Sequence, residues 1–349
     1  MVFVLALGVA IWALATLFRL PLQLKLVFLA GLWAVVVVIN VTLPPGAALR
    51  EATGGDARPW MVLAGVLAMV LGYRAGLGAL RRRAVGRDAV PGSAPAPVFS
   101  DTELNRYARH MILREVGGPG QRKLKEARVL VIGAGGLGAP VLMYLAAAGV
   151  GTIGVVDDDT VDGSNLQRQI IHTDARIGMP KVFSAAEQVA ALNPFVTLRP
   201  YHRRLSEADA EALFAEYDLI LDGTDNFDTR YMVNRVAVRL GKPLIAAAIT
   251  QWEGQIGLYD PARGGACYEC LFPDRPAPGL VPSCAEAGVI GPLPGVMGAM
   301  MAVEAIKQIT GAGEGLRGQM MLYDALYAET RKIATRPRVG CAACGGARA

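Results

Sequence analysis

Three long apolar runs open the chain, and a different periodicity follows them. Met1–Phe18 and Leu26–Leu43 carry no charge, and Trp60–Leu80 is interrupted only by Arg74. Each is about the length a helix needs to cross ~30 Å of hydrocarbon. Arg74 lies near the end of its run, where a long side chain can snorkel to an interface. Between the runs come Arg19–Lys25, with Pro21 and two positive charges, then Pro44-Pro45-Gly46 and the mixed-charge stretch Arg50–Arg58. A cleaved signal peptide competes as a reading of the first run. That run lacks a positive n-region and a clear small-x-small cleavage site, and another span follows at once. A buried soluble helical hairpin is the other alternative. The pattern predicts a transmembrane region over residues 1–83, with three helices.

Residues 84–98 change character. Val90–Val98 reads VPGSAPAPV, a Pro- and Ala-rich linker. From Phe99 onward, short apolar runs alternate with helical patterns, and residues 99–349 read as one soluble domain. Ser100 or Asp101 can cap a helix through Ile112. Gly117–Gln121 reads as a turn, and Gln121–Glu126 as the approach to the first strand. Strands are predicted over 129–132, 153–156, 196–199, 219–221 and 243–248. Helices are predicted over 141–148, 181–191, 208–217 and 292–309. This alternation predicts an α/β fold, a doubly wound, mostly parallel sheet with helices on both faces.

The chemistry starts at the first strand. Val129–Ile132 runs into Gly133-x-Gly135-x-x-Gly138, a helix follows, and the second strand ends on Asp157. The glycines, with Gly136 among them, let backbone N–H groups approach a phosphate at a helix N-terminus, and the acid can accept ribose hydroxyls. Alone, this says only that a nucleotide binds. Beyond Asp157 come Asp158-Asp159-Thr160-Val161 and Ser164-Asn165-Leu166-Gln167-Arg168-Gln169. A dinucleotide site has no need of an arginine there, whereas a triphosphate attracts a guanidinium fork. Farther on, Leu219–Leu221 ends in Asp222-Gly223-Thr224-Asp225-Asn226, again acids at a strand end. Mg²⁺ is commonly held by one or two carboxylates together with phosphate oxygens and waters. Capping of the following helix is the competing role for Asp222 and Thr224.

Charge and cysteines add two points. The net charge is +5, with Arg81, Arg82, Arg83 and Arg87 contributing much of it just after an apolar run. That placement suits a cytoplasmic juxtamembrane patch better than a nucleic-acid surface, and no nucleic-acid partner is expected. Four of the five cysteines form two C-x-x-C pairs, Cys267/Cys270 and Cys341/Cys344. Two such pairs supply four thiolates for one tetrahedral Zn²⁺ of structural role. Disulfides are the alternative. Cys284 is left over.

The string D-x-D-x-V-x-x-S-N-L-x-R-Q after a Gly-rich strand–helix–strand unit resembles the ThiF/MoeB/HesA family, relatives of the ubiquitin-activating enzymes. The likeness runs from about Leu104 to Gly345. It implies ATP-dependent adenylylation of the C-terminal glycine of a ubiquitin-like sulfur carrier ending in Gly-Gly. Pyrophosphate would be released, and sulfur transfer into molybdopterin or thiamine-type biosynthesis would follow from a separate donor. By the same resemblance Asp157 holds the ribose, Asn165, Arg168 and Lys181 hold phosphates, and Asp225, beside Asn226, holds Mg²⁺. Arg109, in Arg106-Tyr107-Ala108-Arg109-His110, reaches the ATP of a partner subunit in a homodimer. Cys284 matches the family's C-x-x-A-G-V cysteine, with either a catalytic or a gating role. The small residues Gly295, Gly298, Ala299 and Ala302 are expected at a dimer interface. The alternatives are a membrane-tethered nucleotide sensor without chemistry, or activation of a small carboxylate or a tRNA base.

Overall fold

A computed structural model describes residues 2–18, 20–85, 98–276 and 287–345. The chain divides into two compact units, Met1–Ala96 and Pro97–Ala349. The expected linker falls almost wholly outside the described residues, as does Cys284.

The first unit is helical, with α1 (Val2–Leu17), α2 (Leu22–Thr42), α3 (Ala48–Thr53) and α4 (Arg58–Val85). Val4, Val36 and Trp60 form its small buried cluster. Trp33 Nε1 donates to the Trp60 carbonyl at 3.1 Å, and Trp60 Nε1 to the Thr53 carbonyl at 3.0 Å. Most other apolar side chains, among them Val9, Val62 and Met69, face outward. Two stretches, Leu22–Thr42 and Ala48–Gly78, are long and apolar enough to cross a membrane by length and composition. The first run departs from the sequence expectation. Its helix has 16 residues, and at 1.5 Å per residue it spans roughly 24 Å, short of the hydrocarbon core. Lys25 also lies within α2 rather than in a loop, and its Nζ donates to Thr16 Oγ1 at 3.0 Å.

The second unit is built on an eight-stranded sheet of order β3-β2-β1-β4-β5-β6-β7-β8. The strands are β1 (Arg128–Ile132), β2 (Thr152–Val156), β3 (Thr197–Tyr201), β4 (Leu219–Asp222), β5 (Leu244–Thr250), β6 (Glu253–Tyr259), β7 (Gln319–Asp324) and β8 (Glu329–Ala334). The first five are mutually parallel, and β6, β7 and β8 continue antiparallel. Helices cover both faces of the parallel part, which is why its central strands are continuous apolar runs. One face packs against α7 (Gly138–Ala148), α8 (Lys181–Leu192) and α12 (Pro292–Thr310), through Leu142, Leu145, Val182, Val189, Met297 and Met301. The other packs against α9 (Glu207–Ala215) and α10 (Phe227–Arg239), through Leu213, Phe214, Val233 and Val236.

Two local expectations change. Gly117–Glu126 is a helix, α6, not a turn, with Pro119 in its first turn, where the missing N–H costs nothing. Tertiary anchoring overrides the glycines. Leu124 is fully buried, and Gln121 Nε2 donates to the Ala148 carbonyl at the end of α7, at 2.7 Å. The small residues of α12 do not share one role. A Cβ on Gly298 would sit 2.3 Å from Pro140 Cγ and 2.5 Å from the Leu137 carbonyl oxygen. Gly298 and Ala302 therefore pack inside the subunit against α7, while Gly295 has open space.

Before α7 comes α5 (Asp101–Ile112), held by a capping box between Ser100 and Glu103. Lys125 Nζ reaches Glu103 at 2.5 Å and ties α5 to α6. After β6, a short helix, α11 (Tyr268–Leu271), starts directly after Cys267 and contains Cys270, the two members of the first cysteine pair.

Candidate active site

The strand order reverses direction between β1 and β4: the chain runs outward through β2 and β3, then returns to β4 on the other side of β1. Ligands of open α/β sheets bind at such a point, outside the carboxyl ends of the strands. Ile132 pairs in register with Asp222, so the Gly133 and Gly223 loops leave the sheet side by side. A cavity of about 1430 Å³ opens there. Among its lining residues are Gly133, Gly135, Gly136, Asp157, Arg168, Lys181, Asp225 and Asn226.

Gly138 does not line the cavity. It is the first residue of α7, and a Cβ on it would meet the Gly133 carbonyl oxygen at 1.9 Å. Its role is to let the loop close tightly over the helix start. Gly133 itself has φ +95°, a conformation that favours glycine.

Asp157 faces the loop from the end of β2. Its Oδ2 accepts the Ala134 N–H at 2.7 Å and its Oδ1 the Asp159 N–H at 2.9 Å. Burial pushes its carboxyl above the usual range, against the opposing pull of the Ala134 N–H and of Lys181. Lys181 begins α8, and its Nζ lies 2.7 Å from Asp159 Oδ2. The lysine is almost fully buried, so its charge is held at the cavity wall rather than free in solvent. Arg168 is aimed by Asn165, whose Oδ1 accepts its Nη2 at 2.6 Å. Asn165 lies outside the lining and acts on the arginine.

On the β4 side, Asp222 Oδ1 accepts both the N–H and the hydroxyl of Thr224, at 2.9 and 2.7 Å, and closes the turn. Asn226 caps α10, accepting the Thr229 N–H at 2.8 Å. Asp225, between them, is exposed in the cavity. Among the described residues it has no hydrogen-bond or ion-pair partner, so a metal ion or phosphate-bound cation finds it free. Arg109 stands exposed on α5 and does not line this cavity.

Two buried polar residues, Arg230 and His172, escaped sequence reasoning as site residues, and Gln169 was read only as the last residue of a motif. Arg230 lines the cavity and is 5% exposed. Its Nη2 donates to the Ala247 carbonyl at 2.6 Å and to that of Thr224, bridging the Asp225 loop to β5. Gln169 is buried with its Oε1 unpartnered. His172 sits behind the glycine loop, bonded to the Ala134 carbonyl and to Ser184 Oγ, both at 2.9 Å.

The cavity continues past the nucleotide-type residues along β5 to β8, where Ala248, Ile249, Gly254, Gln255, Leu322 and Tyr323 line it. Glu253, Asp324, Glu329 and Arg331 also line this second half.

The four paired cysteines converge elsewhere in the unit. Cys267 Sγ lies 3.7 Å from Cys270 Sγ and 3.6 Å from Cys341 Sγ, and Cys270 Sγ lies 3.4 Å from Cys344 Sγ. All four sulfurs fall within 4.8 Å of one another. Tetrahedral Zn–S bonds of ~2.3 Å put sulfurs roughly 3.8 Å apart, whereas a disulfide needs about 2.05 Å. The donor set fits Zn²⁺.

The family model described as the ThiF family matches residues 107–343. The chain belongs to the ThiF family. The "sulfur carrier protein adenylyltransferase" of Thermus thermophilus is 51% identical over 251 residues, covering 71% of this chain and 93% of that protein. The "SAMP-activating enzyme E1" of Haloferax volcanii is 47% identical, covering 70% of this chain and 90% of that protein. For the "probable adenylyltransferase/sulfurtransferase MoeZ" of Mycobacterium tuberculosis the identity is 53%, over 69% of this chain but 62% of that longer protein. Among solved structures, Escherichia coli MccB with ATP superposes with a TM-score of 0.60 at 25% identity, over 72% of this chain and 77% of that one. PaaA superposes at 0.61 with 22% identity, over 84% and 91%, and shows the shared fold alone.

Proposed function

We propose that this ThiF-family chain is an adenylyltransferase that activates the C-terminal glycine of a ubiquitin-like sulfur-carrier protein with ATP. One observation carries the reading: a single cavity joins a phosphate-type part at the β1/β4 switch point to an extended part along β5–β8. A nucleotide and a protein tail can meet there end to end. The relatives named as adenylyltransferases support the reaction type.

In this reading Asp157 accepts the ribose hydroxyls, while Gly133, Gly135 and Gly136 let the backbone approach the phosphates. Arg168 and Lys181 neutralise phosphate charge, and Arg109 of a second copy completes the set in a homodimer. The carrier carboxylate attacks the α-phosphorus, the bond to the bridging oxygen breaks, and pyrophosphate leaves with that electron pair. No protein base is required, because the nucleophile is already an anion. The rate comes from orientation and charge neutralisation. Mg²⁺, held by Asp225, would supply a further positive charge on the leaving phosphates. A separate donor then delivers sulfur to the acyl-adenylate.

Zn²⁺ would fasten the Cys341–Cys344 tail to the α11 region and is structural, since four thiolates leave no open position. The apolar stretches of the first unit support a membrane tether. Positive charge sits at the start of α2 and in the sequence that ends α4. Two spans return the chain to the side it left, so the positive-inside rule places the catalytic unit in the cytoplasm. Protease protection of the second unit from the cytoplasmic face would contradict that side.

The reaction is tested by incubating detergent-solubilised chain with ATP, Mg²⁺ and candidate carriers, and by looking for the carrier adenylate by mass spectrometry. The adduct is expected with an intact Gly-Gly terminus and absent when the last glycine is deleted. An adduct on a small carboxylate or a tRNA base, with none on any carrier, would replace the protein-substrate reading.

A further inference from the structure

We propose that His172 is a positioning residue that fixes the ribose-binding geometry of Asp157 through the Ala134 peptide. The inference rests on the nucleotide reading above and deepens it.

Ala134 lies between Gly133 and Gly135, at the centre of the loop. Both of its backbone polar groups are engaged. Its N–H donates to Asp157 Oδ2 at 2.7 Å, and its carbonyl faces His172 Nε2 at 2.9 Å. A carbonyl only accepts, so Nε2 carries the proton. In the neutral ring Nδ1 is then the acceptor, and it takes the Ser184 hydroxyl hydrogen at 2.9 Å. Ser184 is fully buried in the first turn of α8, the helix that begins at Lys181. One chain of hydrogen bonds thus runs from the lysine helix through His172 and the loop peptide to the carboxylate.

The environment keeps the ring neutral. His172 is 5% exposed, and burial lowers its pKa; the charges of Lys181 and Arg176 push the same way. The same ring is held at both nitrogens, so its plane is set, and with it the direction of the Ala134 peptide. Pinning that peptide has two effects. It aims the Ala134 N–H at Asp157 and leaves Asp157 lone pairs for the ribose. It also frees the neighbouring glycine peptides to face the phosphates. His172 does not line the cavity and touches neither phosphate nor ribose, so it works only through Ala134.

A merely structural histidine would affect stability and all nucleotides alike. A positioning residue for Asp157 affects recognition of the ribose 2′-hydroxyl in particular. The measurement is the ratio of dissociation constants for ATP and 2′-deoxy-ATP, by calorimetry on the full chain in detergent with no carrier present. The wild type is expected to prefer ATP by roughly tenfold to a hundredfold, the worth of one hydrogen bond to a charged acceptor. In His172→Ala the ratio is expected to fall to within about threefold of unity, with 2′-deoxy-ATP binding little changed. His172→Gln places its amide nitrogen where Nε2 stood and is expected to recover most of the preference. His172→Asn places its nitrogen near Nδ1 and is not.

A His172→Ala variant that melts like wild type and keeps the full ATP preference overturns the proposal. So does a wild type without any preference. Equal recovery by Gln and Asn also overturns it, because only one of them can reach Ala134. These outcomes are separate from the fate of the carrier reading. Failure of every carrier to form an adenylate, with ATP preferred and the preference lost in His172→Ala, removes the protein substrate and leaves the positioning role standing.

Discussion

The parallel and antiparallel halves of the sheet are built on different physics. In β1, β2, β4 and the first half of β5, side chains are buried on both faces, and the strands end in loops that carry the nucleotide-type residues. In β7 every residue is half-buried, and in β8 every residue is exposed. The first half is a rigid frame whose strand ends hold charges in fixed places. The second is an extension of that frame with an open outer strand, able to accept a chain laid along it. The halves share one cavity, so a single subunit can hold a small rigid ligand and an extended flexible one together. In the proposed reading, chemistry depends on the frame and substrate choice on the extension.

Changes in the frame should have the largest consequences. Asp225→Ala is expected to reduce AMP formation by about 10²–10³-fold, the usual size of losing one charge-stabilising group. Circular dichroism and zinc content should stay unchanged, since Asp225 is exposed and away from the cysteines. Retained turnover would remove it from the metal role. Arg168→Ala is expected to cost somewhat less, about 10²-fold, read as kcat/KM for ATP in the same assay. Asn165→Ala, which only releases the guanidinium, should fall between that variant and wild type.

Changes beyond the frame should separate binding from stability. Cys341→Ser, or chelation of the purified chain, is expected to lose one equivalent of zinc. It should lower the melting temperature by about 5 °C or more, as a loss of a few kcal/mol does in a domain of this size. ATP affinity should change by less than about threefold, because none of the four paired cysteines lines the cavity. A chain without bound zinc as purified, with four freely alkylated thiols, would contradict the site.

The smallest expected effect is on pH. Burial lowers the pKa of His172 below its usual 6.5. The unfolded chain therefore takes up that proton first as pH falls below about 6.5, and the folded state loses stability progressively down to its own, lower pKa. Above 6.5 the contribution is complete. Denaturant unfolding between pH 7 and pH 5 should show this slope, and His172→Gln should flatten it by about one proton.

The two halves also differ in how far the sequence announces them. Val129–Ile132, Ile153–Val156 and Leu219–Leu221 are strands buried on both sides, so each is an unbroken apolar run bounded by Gly or Asp, and each lies within an observed strand. The Gly loop and Asp157 are legible because backbone approach and ribose recognition each require particular residue types. QMMLYD is half-buried throughout and ETRKIA exposed throughout, so neither shows the alternation of a one-sided strand, and β7 and β8 went unread for that reason. Gly117–Glu126 misled in the opposite sense: its glycines signal a turn, but Gln121 and Leu124 are held in a helix by contacts distant in sequence. His172 and Arg230 were invisible as site residues because their partners, Ala134, Ser184 and Ala247, are 12 to 38 positions away along the chain.

Carrier-dependent exchange of pyrophosphate into ATP tests the central claim most directly, because it reports formation of the acyl-adenylate without needing the sulfur donor. With full-length chain in detergent, exchange is expected only when a Gly-Gly carrier is present, and it should vanish when the terminal glycine is removed. Exchange with no carrier, or none with any carrier while ATP still binds, would contradict the assignment of a protein C-terminus as substrate.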